Sequence, residues 1–247
     1  MILFLISFLS VPLEGNGEAF IGYYPSKDTL YNTDVSITIC SYLLRFEDRL
    51  DFFGRYSSYL EMAEQEGKVV LDPYFASYSL VCGFVFKGSL FLSIYCDHSC
   101  RHIIDRKLEE GKVVFNSLNL GFSTIKDHSY RFGENHYLIS NYIFYPQGIF
   151  VDWLNSRPFY RHRFLIEGGK KINSFTEISL FGEYTLSNDK PRKVYYMLAP
   201  EIEFFSFKGD RAFYAFIKYY LKAKGPLRSP ETLFFFGIGY TFFTPCK

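Results

Sequence analysis

The sequence predicts an all-β chain that closes into an antiparallel transmembrane barrel of about twelve strands. Three observations predict it. Apolar and polar residues alternate with period two in one segment after another, as a strand with one dry and one wet face requires. Many of these segments run to about 10–14 residues, where globular strands average about five or six and tilted membrane strands need about 9–11. The connections between them alternate between short and long, as the two ends of a membrane barrel do.

Composition agrees. The 247 residues include 29 Phe and 21 Tyr, with only 3 Met and 1 Trp, a bias toward strand formers. A net charge of +1 gives no basic excess for nucleic acid and no acidic run for disorder. Mean hydropathy is -0.01. Beyond the N-terminus no apolar run approaches the roughly 18–20 residues of a membrane helix, whereas barrel strands hide their apolar residues by alternation. Cys40, Cys82, Cys96, Cys100 and Cys246 are odd in number and contain no CxxC, so spacing indicates neither a disulfide framework nor a zinc knuckle.

Taken in order, the chain opens with the apolar run Ile2–Leu13, followed by EGNGEA. That run is too short to span a bilayer and suits the central region of a signal peptide, although no Lys or Arg precedes it. Residues 1–19 are therefore expected to be a leader and 20–247 the barrel; a buried first strand is the competing reading. The expected strands are 19–24, 35–45, 52–62, 72–86, 88–99, 114–125, 137–146, 160–170, 174–186, 193–207, 211–223 and 232–243. A count of ten to fourteen fits the same pattern.

The last four segments alternate most clearly. In 174–186, Ile178, Leu180, Tyr184 and Leu186 oppose Glu177, Ser179, Glu183 and Thr185. In 193–207, Val194, Tyr196, Leu198, Ile202 and Phe204 oppose Lys193, Glu201 and Glu203. In 211–223, Phe213, Ala215, Ile217, Tyr219 and Leu221 oppose Tyr214, Lys218, Tyr220 and Lys222. Mid-strand charges belong in a lumen, so Glu177, Glu183, Glu201, Glu203 and Lys218 are expected to line it. A soluble secreted sandwich or an open lipid-binding barrel would instead make the Phe and Tyr faces a core. Connections 46–51, 87, 171–173 and 208–210 are short, with 126–136 the exception, while 25–34, 63–71, 100–113 and 147–159 are longer. The long set is expected to be extracellular. Gly168-Gly169 reads as a turn, and His128 and His136 as solvated residues of the 126–136 connection.

The final strand, Phe234 to Phe242, resembles the closing strand of bacterial outer-membrane β-barrel proteins, with alternating aromatics; five residues follow it. The resemblance implies a location in the outer membrane of a Gram-negative-type bacterium, membrane lipids as partners and insertion by the barrel-assembly machinery. It implies no activity.

One segment looks chemical. In YCDHSCRHIIDR (95–106), His98, Cys100 and His102 share one strand face, continuing that of Leu92, Ile94 and Cys96, and so should face lipid. Asp97, Ser99 and Arg101 take the other face, and Asn116 and Asn119 lie on the next strand. Over about 20 residues this region resembles outer membrane phospholipase A, a twelve-stranded barrel with an HxSNG motif and a downstream Asn. The resemblance implies His98 as base, Cys100 or Ser99 as nucleophile and Asn116 as orienter, in a phospholipase A-like or lipid A deacylase-like hydrolase. The spacing departs from the family: Ser99 is adjacent to His98 and no Asn-Gly follows. A second reading makes His98, Cys100 and His102, with Asp97 or Asp105, ligands of zinc or copper. A third is structural: polar groups gather where a strand leaves the bilayer, with Asp97, Arg101, Asp105 and Arg106 pairing.

No motif calls for a cofactor. Arg161 and Arg163 flank His162 and are expected on one face, lining the lumen or meeting anionic head groups. Twelve strands enclose a lumen between the side-chain-filled eight-stranded barrel and the open porins. Tyr195, Tyr214, Phe216 and Tyr220 project into it with charges of both signs, which favours a structural or narrow-channel role over wide diffusion.

Overall fold

The computed structural model describes residues 9–12, 14–27, 31–63, 72–103, 113–146, 160–188, 191–225 and 229–244. Its strands are β1 (Leu9–Ser10), β2 (Glu14–Tyr23), β3 (Thr33–Phe46), β4 (Leu50–Ala63), β5 (Asp72–Lys87), β6 (Phe91–Ile103), β7 (Val113–Ser123), β8 (His136–Phe144), β9 (Tyr160–Asn173), β10 (Thr176–Ser187), β11 (Val194–Lys208), β12 (Arg211–Tyr219), β13 (Lys222–Lys224) and β14 (Phe234–Phe243). β2 to β12 pair antiparallel in sequence order, and β14 lies between β12 and β2, so twelve strands form a closed ring. Closure runs from Phe236↔Tyr23 to Phe243↔Asn16 and leaves no edge to pair with another chain. β1 is a two-residue extension on β3, and β13 continues the stave begun by β12.

Period two sorts the side chains as expected. Leu80, Phe213 and Ile238 are each 63% exposed on the outside, with Ile21, Leu92, Leu120, Ile166, Leu180 and Phe204 also outward. A protein surrounded by water does not present so continuous an apolar wall. The interior is packed. Phe132, Phe205, Tyr214, Phe216 and Phe235 form one cluster, while Tyr42, Phe53, Val81, Val85 and Tyr95 form another. Gly239 gives way to an aromatic ring: a Cβ there would fall 2.2 Å from the ring of Tyr214.

Four details differ from the sequence reading. The first barrel strand begins at Glu14, and Glu18 and Ala19 already pair with Thr241 and Tyr240. The 211–223 stave is interrupted. β11 pairs β12 up to Glu201↔Lys218 and resumes with β13 at Leu198↔Lys222, which leaves two residues on one side against three on the other. Pro200, which has no N–H to donate, sits at this bulge. The extra residue reverses the faces, so Lys222 points outward to Glu231 and Ala223 points in. Gly168 and Gly169 are not a turn. They lie inside β9, where they pair with Leu138 and Tyr137, and Gly169 makes room for the Tyr137 ring.

The fourth difference is the largest. The exceptional connection after β7 contains a 3-10 helix, His128–Gly133, which folds back against the inner faces of β2, β8, β11 and β14. Asp127 caps it by accepting from the Ser129 N–H. It enters from the end that carries the short turns 47–49, 88–90, 174–175 and 209–210.

Candidate functional site

Two places carry chemistry: the lumen, and the outer wall around His98.

In the lumen, carboxylates from the strands meet cations from the strands and from the inserted connection. Nearest the short-turn end, Asp51 is fully buried and accepts from Arg45 Nε at 2.9 Å and Lys87 Nζ at 3.1 Å. Glu14 accepts from Arg45 at 2.8 Å and from Lys126 at 2.5 Å. Deeper in, Arg131 is 1% exposed and makes a two-point contact with Glu203, at 2.8 and 3.1 Å, and a third bond to Glu18 at 2.8 Å. His128 bridges Glu18 at 3.1 Å and Glu167 at 2.8 Å, so it is not a solvated residue. Burial and the adjacent Arg131 lower its pKa, but Glu167 and Glu18 outweigh them and hold it well above the usual imidazole value. Lys171 donates to the Phe132 carbonyl at 2.6 Å and ties β9 to the helix.

The five charges expected to line the lumen all lie on inward faces. Glu177 and Glu203 are buried, Lys218 pairs with Glu201 at 2.5 Å, and Glu183 pairs with Arg163 at 2.6 Å. The 161–163 trio separates. Arg163 faces inward, His162 Nδ1 lies 2.8 Å from the Tyr142 hydroxyl, and Arg161 sits over the Phe144 ring. Sequence reasoning missed Glu18, His128, Arg131 and Lys126 as lumen residues. The one signal that could have found them was the length of the 126–136 connection among otherwise short turns.

Toward the long-loop end, Tyr24 stacks on Phe235 with ring centroids 4.4 Å apart, and its hydroxyl donates to Asp34 at 3.0 Å. Tyr59 donates to the same carboxylate oxygen at 2.6 Å. Aromatic rings and the pinned helix thus occupy successive levels of the interior.

On the outer wall, β5, β6 and β7 run side by side with Leu80↔His98↔Asn116 in register. His98 is exposed and its Nδ1 lies 2.8 Å from Asn116 Oδ1, so the structure joins the proposed base and orienter. Such a bond fixes the ring and leaves Nε2 free. Cys100 shares this outward face two residues on, whereas Ser99 pairs with Phe115 on the inward face and does not join them. His102 packs beside Tyr78, with ring centroids 6.3 Å apart. Among the described residues no group of three or more His, Cys, Asp or Glu side chains is placed to hold a metal ion, and Asp105 and Arg106 lie outside them. Asn119 is buried and donates to Ser117 at 2.9 Å. Cys40 is buried, and Cys82 and Cys96 face each other across β5 and β6 on the outside.

A closed antiparallel barrel with an apolar wall and a charged interior defines the class: this chain has the fold of the bacterial outer-membrane β-barrels. No family model matches the sequence, and neither does any curated protein. Solved structures do match. The calcium-bound dimer of the outer membrane phospholipase (OMPLA) of Salmonella typhi has a TM-score of 0.59 at 9% identity, over 92% of this chain and 90% of that one. Outer membrane phospholipase A from Escherichia coli gives 0.56 at 8% identity, over 92% of each chain. The NanC porin gives 0.51 at 9% identity, over 92% of this chain and 98% of that one. At such identity the likeness speaks for the fold alone, and it spans phospholipases and a porin alike.

Proposed function

We propose that this protein serves the outer membrane as a closed-walled barrel with a restricted lumen, a structural element or a channel for very small solutes. The observation that carries this reading is the 3-10 helix held across the interior by Arg131, Glu18 and Glu203. A wide pore would need that space free. The outward wall contacts lipid, and the aromatic closing strand would be the part handled by the barrel-assembly machinery. Because Glu14 and Glu18 are bound inside the barrel, we propose that a leader, if cleaved, is cut before Glu14 rather than at residue 19; N-terminal sequencing of the membrane form tests this. Conductance in planar bilayers tests the main reading. Wild-type steps should fall well below those of a 16- to 18-stranded porin run beside it, and porin-sized steps would refute a restricted lumen.

A second reading has one specific observation in its favour. The His98–Asn116 pair lies on the wall that meets acyl esters, with Cys100 on the same face. Hydrolysis of phospholipid in mixed micelles, lost in His98→Ala and reduced in Asn116→Ala while the barrel stays folded, would support a lipid hydrolase. Inactivity on phospholipids and lipid A together would sink it.

A further inference from the structure

We infer that the lumen holds a binding site for a compact organic anion, an aromatic or short-chain carboxylate, centred on Arg55. The inference deepens the restricted-lumen reading by naming what such a lumen would hold. Among the described residues, five arginines point into the barrel. Arg45, Arg101, Arg131 and Arg163 each hold a carboxylate. Arg55 has no carboxylate within ion-pair distance among the described residues; its guanidinium lies over the ring of Tyr95, 5.4 Å from the centroid.

Beside it is a cavity of about 270 Å³, one of the parts of the lumen that the inserted helix leaves open. Its lining is divided. Arg55, Ser93, Tyr95 and Asn141 supply polar atoms, and Phe53 and Phe91 supply apolar surface. Gly121 sits where the polar atoms converge. A Cβ there would lie 2.1 Å from Ser93 Oγ and 2.7 Å from Asn141 Oδ1, so the missing side chain is what lets these two polar groups sit at the cavity wall. Of the other charges on the lining, Lys126 is held by Glu14 and His128 by Glu167, while Asp127 accepts from the Ser129 N–H and acts on Arg55 only from beyond ion-pair distance. A guanidinium offers paired N–H donors that match a carboxylate at two points. A dry cavity of ~150 Å³ already accommodates benzene, so this volume takes a ring with its carboxylate. Asp97 and Asp127 act on Arg55 only at longer range, and the anion would give it the direct ion pair that its four neighbours in the lumen already have.

The test uses the full chain refolded in detergent, with 4-fluorobenzoate as probe and neutral 4-fluorobenzamide as its isostere, both followed by fluorine NMR. Wild type should bind the benzoate and prefer it at least tenfold over the benzamide, and Arg55→Met should lose at least tenfold in benzoate affinity. No binding, equal binding of the two probes, or unchanged affinity in Arg55→Met would overturn the inference. Should the variant fail to fold, wild type still decides the matter through phenylglyoxal modification read by mass spectrometry. Benzoate should protect Arg55 and benzamide should not. An Arg55 that is unreactive, or unprotected, counts against the site. Conductance is measured separately: a barrel that passes little current yet binds no benzoate keeps the restricted lumen and loses this site.

Discussion

Replacing Arg131 with methionine should destabilise the barrel by about 3–5 kcal/mol, because it keeps the bulk of the side chain and strands two carboxylates that strand pairing holds in place. Glu203 is 4% exposed and cannot swing to water; it is fixed on β11 between Ile202 and Phe204, whose side chains point to lipid. Glu18 is similarly fixed on β2, with Tyr214 and His128 as its remaining partners. The guanidinium also packs over Phe132 at 4.1 Å and Tyr214 at 5.0 Å, contacts worth about 0.5–2 kcal/mol each when desolvated. At about 1.4 kcal/mol per tenfold, the folding equilibrium should shift by roughly two to three and a half orders of magnitude. Urea unfolding in detergent, followed by far-ultraviolet circular dichroism and by the mobility of unboiled samples, measures it. Glu203→Gln provides the control. Removing one anion beforehand should make Arg131→Met less costly, with a coupling of about 0.5–3 kcal/mol. A loss below about 1 kcal/mol, or strict additivity in the cycle, would refute the view that Arg131 clamps the helix.

Three other outcomes follow from the same geometry. Ile238→Arg puts a charge on the lipid face near the middle of β14 and should cost about 2–4 kcal/mol in bilayer refolding, while a cost near zero would mean that this face is not in lipid. Gly239→Val drives a side chain into the Tyr214 ring and should cost about 1–3 kcal/mol by the same urea titration, with Gly133→Val as a control in open space. His128 has a raised folded pKa, so its contribution to stability is complete below its unfolded value near 6.5 and is lost as pH rises through the folded value. Wild type should therefore lose stability on the alkaline side by a component absent from His128→Gln, and identical pH profiles would contradict it.

The barrel was legible because membrane strands must satisfy two solvents at once. Phe213, Ala215 and Ile217 against Tyr214, Phe216 and Lys218 read directly as outside and inside, and burial follows that division. What escaped was non-periodic. The chain around 124–135 carries no alternation, since its residues answer to carboxylates on β2, β4, β9 and β11 rather than to a pleat. The face reversal at Lys222 hung on one missing N–H at Pro200, an element visible in sequence but with no register to attach it to. Gly168-Gly169 looked like a turn because glycine permits turns. The Tyr137 ring that needs the absent side chain of Gly169 lies 32 residues upstream, outside any local window.

The parity that identifies the barrel also limits what the His98 wall can do. A reaction on that wall can recruit only outward residues, which on β6 are the even positions: Cys96, His98, Cys100 and His102. On β7 the same rule admits Asn116 and Leu118 and excludes Ser117 and Asn119, both buried. Ser99 is excluded although it is the nearest hydroxyl in sequence. A hydrolase centred on His98 that takes its nucleophile from β6 must therefore use a thiol, Cys96 or Cys100, because a base and nucleophile on opposite faces of a strand cannot share a proton. Ser99→Ala should leave any lipid-ester cleavage intact, while Cys100→Ala or Cys96→Ala, or treatment with a membrane-permeant thiol reagent, should abolish it. Cleavage that survives the loss of both thiols but fails in Ser99→Ala would show that β6 is paired one residue out of the register described here, because only a shift of one residue brings Ser99 to the face of the lipid.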